Sequence, residues 1–293
     1  MSETGPPVPF RVGATGGGGL TRSRARSDRY VVPSRSLRIP RELPDSMEVR
    51  IQAVALASRE DALFCGPSAA VLLGLPIPYR LQDGPVWVMV PEGMPRPRRR
   101  DVRARQADVV AAEISVAHGL RVTSPARTFV DLAPLLSLPD LVAVGDAAMR
   151  GWRVTPEELL RVIRRRVRYH GKVKARHAAP LLNPRAESPQ ESRLRMVIIG
   201  GGLPAPTVNL EVYDEWGGFI ARCDLGYEEW KVAVEYDGAV HAMRARRFAD
   251  ATRRTLLREH GWYVVEVVAD DLRFPHRAVA KVQGALRSRG AVS

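Results

Sequence analysis

Three carboxylates stand on two apolar segments in the last third of the chain. Asp224 ends the first segment, and Glu235 and Asp237 lie near the end of the second, which begins at Lys231. Alternate side chains of a β-strand share a face, so Lys231, Glu235 and Asp237 are expected on one side of their strand. Only the short stretch Leu225 to Trp230 separates the segments. This spacing predicts an antiparallel hairpin that brings the carboxylates together.

Carboxylates held this close favour a bound cation. Like charges raise one another's pKa unless a cation neutralises them. Hard oxygen ligands are typical of Mg²⁺ or Mn²⁺ rather than zinc. The sequence therefore predicts Asp224, Glu235 and Asp237 as metal ligands. A solvated strand face with surface carboxylates is the alternative that periodicity leaves open.

A fourth carboxylate, Glu191, lies upstream in the segment Ser188-Pro-Gln-Glu. This pattern predicts the start of a helix, with Ser188 as N-cap, Pro189 as first helical residue and Glu191 as capping-box partner. Capping accounts for Glu191 completely. A helix packed on the sheet would also let Glu191 reach the metal or its water, so both interpretations stay open.

Basic side chains surround the acidic segments. A helix from Arg244 to Arg258 is predicted after Gly238, and its Arg246, Arg247 or Arg253 could clamp a phosphodiester backbone. Lys231 could also reach a phosphate, although a solvent-exposed lysine on an edge strand is the favoured interpretation.

The order helix, three strands, helix, strand, helix resembles the very-short-patch-repair (Vsr-like) endonuclease branch of the PD-(D/E)XK fold. The resemblance covers about the last third of the chain. The motifs that carry it are Ser188-Pro-Gln-Glu-Ser-Arg-Leu-Arg195, Arg222-Cys-Asp-Leu225, Glu235-Tyr-Asp-Gly238 with His241, and Arg253-Arg-Thr-Leu-Leu-Arg-Glu-His-Gly-Trp262.

The resemblance implies a Mg²⁺-dependent endonuclease. Asp224 would be the core metal ligand, Glu235 and Asp237 the second acidic motif, and Glu191 the helical acid. His241 would lie near the scissile phosphate as a proton donor, with a structural histidine as the alternative. The family pattern places Pro before the Asp and Lys two residues after the Glu. Cys223 and Asp237 occupy those positions here, which leaves catalysis open.

The amino-terminal half has the features of a regulator. Gly19 to Pro40 predicts a short helix and a hairpin of the winged-helix kind, and Arg96 to Arg105 is a basic loop that is either an exposed turn or a phosphate contact. Phe64-Cys-Gly-Pro-Ser-Ala-Ala70 and Thr123-Ser-Pro-Ala-Arg-Thr128 resemble the AbiEi-type antitoxin and transcriptional-regulator family, over roughly residues 10 to 165. The resemblance implies a DNA-binding or interaction role, with a cognate toxin as a further partner.

Composition favours an anionic partner. The 293 residues include 45 Lys and Arg against 32 Asp and Glu, a net charge of +13. Arginine supplies most of the positive charge and recognises phosphate in a bidentate manner, which favours DNA over a membrane surface. A GC-rich genome would enrich arginine as well. Cys65 and Cys223 have no ligand spacing, and no apolar run could span a bilayer, so a reduced cytoplasmic protein is expected.

These patterns predict an α/β (α+β) protein with four segments. They are a disordered leader at 1–18, an AbiEi-like region with a winged-helix-like start at 19–165, a basic linker at 166–185, and at 186–293 a restriction-endonuclease-like mixed sheet flanked by helices. Two functions remain open: a metal-dependent DNA endonuclease with a regulatory module, or an antitoxin-like regulator whose nuclease fold only binds nucleic acid.

Overall fold

The computed structural model describes residues 8–12, 24–166, 169–238 and 244–291. Helices and strands alternate along these residues, which confirms the predicted α/β class. The chain divides into two compact units. The first contains the residues up to Leu135 and Val154–Arg176, and the second contains Leu136–Arg153 and the residues from His177 onward.

The strands are numbered in chain order. They are β1 Phe10–Arg11, β2 Tyr30–Val31, β3 Leu37–Pro40, β4 Leu63–Phe64, β5 Val86–Val90, β6 Val102–Gln106, β7 Ile114–Ala117, β8 Leu120–Thr123, β9 Thr207–Tyr213, β10 Phe219–Tyr227, β11 Val232–Asp237 and β12 Tyr263–Val268.

The α-helices follow the same order. They are α1 Met47–Ala55, α2 Gly66–Leu72, α3 Tyr79–Gln82, α4 Pro125–Leu132, α5 Leu138–Trp152, α6 Pro156–Arg165, α7 Lys172–Ala178, α8 Pro189–Gly200, α9 Arg244–Glu259, α10 Ala269–Arg273 and α11 Pro275–Ser288. Within the described ranges, none of these helices has both the length and the apolarity needed to cross a membrane.

The first unit contains two sheets. A small antiparallel sheet has the order β1-β3-β2, and its β2–β3 pairing gives the hairpin expected before Pro40. A five-stranded sheet has the order β6-β5-β4-β8-β7, with the wholly buried β5 next to the edge strand β6. Residues 13–23, which include most of the predicted short helix, lie outside the described ranges.

Side chains cap the N-termini of helices α4 and α6 in the first unit. The Ser124 hydroxyl accepts a hydrogen bond from Arg127 N at 3.3 Å at the start of α4. At α6, Thr155 and Glu158 form a capping box, with distances of 3.0 and 3.2 Å between each side chain and the other residue's backbone nitrogen. Each cap satisfies a backbone N–H that the helix leaves unpaired, and a proline follows the capping residue in both cases, as is typical of a helix start.

A buried ion network joins α4 to α6 and to the helical turn that precedes β7. The Arg127 side chain is fully buried and donates to Glu113 and to Asp131, the latter at 3.2 Å. Arg165 and Arg166, at the end of α6, reach Glu113 and Asp131 respectively, each at 2.7 Å. Because an unpaired charge in a protein interior is costly, this network fixes α4 and α6 relative to the five-stranded sheet.

The second unit is a four-stranded mixed sheet between helices. Its order is β12-β11-β10-β9, with β11 and β12 parallel and the other pairs antiparallel. One face packs against α8 and α11 through Leu194, Ile198 and Val282. The other face packs against α9 through Leu257. The sheet therefore presents separate surfaces to α8 and to α9.

Helix α5 belongs to this second unit. Its Asp146 is 1% exposed and accepts hydrogen bonds from Asn183 N at 2.7 Å, Ser192 Oγ at 2.7 Å and Arg195 at 2.9 Å. Ser192 and Arg195 lie on α8, so Asp146 joins α5 to α8. Burial raises the pKa of Asp146 above its usual range, and the neighbouring Arg195 charge opposes that shift.

Strand β10 changes faces at Asp224. Ala221 and Cys223 pack on the α9 side of the sheet, whereas Leu225 and Tyr227 pack on the α8 side. Opposite Asp224 in the β9 partner is Asn209, which has a φ of +48°, a conformation that few non-glycine residues adopt. The alternation of side chains along β10 is therefore broken at Asp224.

Candidate functional site

Asp224 lies next to the acidic strand, as the hairpin predicted. The β10–β11 pairing begins at Leu225 opposite Val234, just beyond Asp224. The Asp224 carboxylate accepts a hydrogen bond from the backbone nitrogen of Tyr236 at 2.8 Å. The side chain thus bonds to β11 where the strand pairing ends, and it stands beside Glu235.

Glu235 is the most buried of the predicted ligands. Only 2% of the residue is exposed, and its Oε2 accepts a hydrogen bond from Arg253 at 2.5 Å. Its Oε1 is buried without a hydrogen-bond partner among the described residues. Burial raises the pKa of Glu235 to about 7, the Asp224 charge adds to the rise, and Arg253 opposes it.

Glu191 lies at the same end of the sheet. Ser188 Oγ accepts from Glu191 N at 3.1 Å, which confirms the predicted N-cap of α8. The Glu191 carboxylate accepts from Glu187 N at 2.8 Å, one residue before the position that a capping box uses. Burial raises the pKa of Glu191, and the charge of Asp224 contributes to the rise. Burial and the charge of Asp224 therefore raise the pKa of both Glu191 and Glu235.

Asp237 faces arginines. It shares a face of β11 with Glu235, and its Oδ2 accepts from Arg254 at 3.2 Å. Arg254 also donates to Glu266 at 2.5 Å, and Arg258 donates to Glu266 at 3.0 Å. Helix α9 thus lays a row of guanidinium groups against the acidic ends of β11 and β12.

Sequence reasoning identified Arg253 but missed Arg254 and Glu266. The strand pairing could have identified Glu266, because it lies directly opposite Glu235 where β12 pairs in parallel with β11. Arg254 is the residue after Arg253 on α9, and both arginines reach carboxylates of β11. The acidic site is therefore larger than the predicted set, and so is its basic complement.

Other predicted site residues have different positions. Lys231 is exposed with a φ of +48° and precedes β11. It lies about 13 Å along the strand from Glu235 at the usual rise per residue. Arg246 and Arg247 lie in α9, but their side chains are outside the described part of the structure, and His241 is outside it altogether.

The donor side chains that the structure describes do not converge on a Mg²⁺ or Mn²⁺ position. Across the described ranges, no group of three or more His, Cys, Asp or Glu side chains converges closely enough to hold a metal ion. Glu235 and Asp237 are already ion-paired with Arg253 and Arg254. Guanidinium groups supply here the positive charge that a divalent cation would supply. The partnerless Glu235 Oε1 is the feature that favours a cation.

The raised pKa of Glu235 predicts a pH-dependent stability. In the folded chain Glu235 has a pKa of about 7 and stays protonated below that pH. In the unfolded chain its pKa returns to the usual value for glutamate, so the proton is lost at a lower pH. The free energy of unfolding is therefore expected to fall as pH rises from 5 to 8, by about 2.5 kcal/mol from this group. Urea unfolding with a metal chelator at both pH values measures the change.

Glu235→Gln is the matched control for this pH effect. The amide keeps the shape of the side chain and cannot ionise, so the variant should lose that part of the decline between pH 5 and pH 8. An equal decline in wild type and variant would show that Glu235 ionises in the folded chain as it does in the unfolded chain.

The middle of the chain is similar to a known protein family. Residues 62–180 match the AbiEi antitoxin C-terminal domain family. This match confirms the AbiEi-type resemblance for that segment, which begins in the first unit and continues through α5 of the second. The Vsr-like resemblance of residues 186–293 stays a prediction.

Similar proteins occur in Mycobacterium tuberculosis. The uncharacterized proteins MT2308 (strain CDC 1551 / Oshkosh) and Rv2248 (strain ATCC 25618 / H37Rv) are each 35% identical to the chain over 175 residues. The alignment covers 59% of this chain and 64% of either relative, so the chain spans less than two thirds of their length. The crystal structure of the RV2827C protein from the same species has a TM-score of 0.38 and 16% identity, and the alignment covers 64% of this chain and 73% of that one.

Proposed function

We propose that the protein is an antitoxin-type regulator that binds DNA, and that its second unit binds nucleic acid without cutting it. The match of residues 62–180 to the AbiEi antitoxin C-terminal domain family carries the proposal. The net charge of +13 supports it, because counterion release from phosphates drives the association of basic proteins with DNA.

The ion pairs of the acidic site support a binding role for the second unit. Arg253 and Arg254 engage Glu235 and Asp237, so these carboxylates are not free to gather around a metal ion. Arginines that neutralise carboxylates beside a basic helix also lower the electrostatic cost of bringing DNA phosphates near them.

A cognate toxin protein is the second proposed partner. The proposal also places the protein in the cytoplasm, where the free and buried Cys65 and Cys223 stay reduced. Burial raises the pKa of the Cys65 and Cys223 thiols, which makes both poor nucleophiles.

The experiment that tests the proposed function measures DNA retention by the full chain. A labelled duplex from upstream of the protein's own reading frame is compared with an unrelated duplex of equal length, across a series of salt concentrations. A regulator should prefer one sequence by about 10³-fold or more. Absence of retention at low salt would contradict the proposal, and equal retention of both duplexes would remove its regulatory part.

Metal-dependent endonuclease activity, with Mg²⁺ or Mn²⁺, is the second candidate. One observation favours it: the buried Glu235 Oε1 has no hydrogen-bond partner within the described residues. The ion pair between Arg253 and Glu235 would have to break before the Glu235 carboxylate could bind a metal ion. Metal-dependent cleavage of DNA distinguishes the endonuclease from the regulator.

A further inference from the structure

The basic loop before β6 has an unusual path. Strands β5 and β6 are parallel neighbours, and residues 91–101 connect them without a helix. A parallel connection must return the chain to the starting end of the sheet, which usually takes a dozen or more residues. The loop turns at Gly93, which has a φ of +83°, and then runs beside β6. It therefore follows the edge of the five-stranded sheet.

The return path has the sequence Pro95-Arg-Pro-Arg98. Each proline fixes its own φ and restricts the preceding residue to extended conformations. The loop is also anchored at both ends. Gln106 donates to Met94 O at 2.7 Å, and Arg99 donates to Ser34 Oγ at 2.6 and 3.0 Å. Arg96 and Arg98 lie between these anchors and are thus held on a stiff, extended backbone, and Arg100 directly follows the anchored Arg99.

The arginines of this segment fall into two sets. Arg103 and Arg105 stack on the buried Trp87 ring, with guanidinium-to-centroid distances of 4.8 and 4.3 Å. Arg99 is held by Ser34 and lies 3.8 Å from Asp101. These three have structural roles in the first unit.

Arg96, Arg98 and Arg100 form the second set. All three are exposed, and none has an acidic partner within ion-pair distance among the residues that the structure describes. A groove of about 770 Å³ lies between the loop and the edge strand. Its lining is Pro95, Arg96, Pro97, Arg98, Ala104 and Gln106.

We propose that Arg96, Arg98 and Arg100 form a phosphate-binding surface for duplex DNA, separate from α9 and the acidic site. The inference rests on the proposed function and names where the first unit contacts DNA. The unpaired guanidinium groups suit bidentate contacts with phosphate oxygens. The proline-stiffened loop loses little conformational freedom on binding, which favours affinity.

Salt-dependent binding tests the proposal directly. Full-length wild type is compared with Arg96→Ala/Arg98→Ala/Arg100→Ala by fluorescence anisotropy with a labelled duplex. The loss of three phosphate contacts should reduce the slope of log affinity against log salt by about 2.7 and weaken binding near 0.1 M salt on the order of 10²-fold. The side chains are exposed, so the thermal midpoint should stay unchanged.

Arg150→Ala/Arg161→Ala/Arg164→Ala is the charge-matched control. These arginines are exposed on α5 and α6, and their removal lowers the net charge equally. The control should keep the wild-type slope. Equal losses in both triple variants would overturn the proposal, because net charge alone would then explain binding. Unchanged binding by the loop variant would overturn it while sparing the proposed function, and a wild type that binds no duplex would overturn both.

Discussion

Replacing Asp146 with alanine is expected to lower the free energy of unfolding of the second unit by about 3 to 5 kcal/mol. The carboxylate accepts from Asn183 N, Ser192 Oγ and Arg195, and each of these donors would lose its partner. The Arg195 side chain is only 7% exposed, so its charge would stay buried without a counterion. Urea unfolding followed by tryptophan fluorescence and circular dichroism measures the loss.

Asp140→Ala on the same helix is the control for Asp146. Asp140 pairs with Arg193 at 2.8 Å, and both side chains are partly exposed, at 20% and 27%. Solvent screening weakens such pairs, so this variant should lose about 1 kcal/mol or less. Similar losses in the Asp140 and Asp146 variants would show that Asp146 does not hold α5 to α8 through a buried charge.

Replacing Arg127 with methionine is expected to destabilise the first unit by about 3 kcal/mol. Methionine keeps most of the side-chain volume but removes the charge between Glu113 and Asp131. Arg165 and Arg166 still contact the two carboxylates, which places the loss at the lower end of the usual range for a broken buried pair. Urea unfolding again gives the change.

Two further variants separate charge from packing at Arg127. The triple variant Arg127→Met/Glu113→Gln/Asp131→Asn removes the buried carboxylate charges as well and should recover part of the loss. Arg59→Met breaks an exposed pair with Asp61 and should leave the unfolding transition in place. A triple variant less stable than Arg127→Met would contradict the electrostatic explanation.

Local signals predicted much of the fold. Ser188 caps α8 as expected, because it supplies an oxygen to a backbone N–H that lacks a partner. The wholly apolar Val86–Val90 forms a buried strand. The short connection Leu225 to Trp230 predicted the β10–β11 pairing, because hairpin geometry depends on nearby residues alone.

Long-range placement was not visible in the sequence. Helix α5 lies within the AbiEi-matched segment, yet it packs on α8 through Asp146. Periodicity identifies an apolar helix face but not the element that covers it. The change of face at Asp224 is also not visible in the sequence, since an apolar pattern does not show where a strand switches faces. Strand β9 makes the same change between Val208 and Leu210.

The sequence predicted the acidic residues of the candidate site but not the arginines with which they pair. The sequence indicated that Asp224 and Glu235 would lie close together and left the reach of Glu191 open. In the structure burial raises the pKa of both glutamates, and the Asp224 charge adds to the rise. Residue types alone could not show which basic groups neutralise the acids. That outcome depends on the rotation of α9, which directs Arg253 and Arg254 at β11. The roles of the site residues in catalysis or binding stay predictions.

Cleavage in the presence of metal is the measurement that tests the regulator proposal most directly. Plasmid, linear duplex and single-stranded DNA are incubated with the full chain and Mg²⁺ or Mn²⁺, beside Asp224→Ala and Glu235→Ala at matched purity. Since Arg253 and Arg254 occupy the acidic site, we expect DNA retention without cutting in all three proteins. Metal-dependent cutting by the wild type that both substitutions abolish would contradict a binding role and establish the endonuclease.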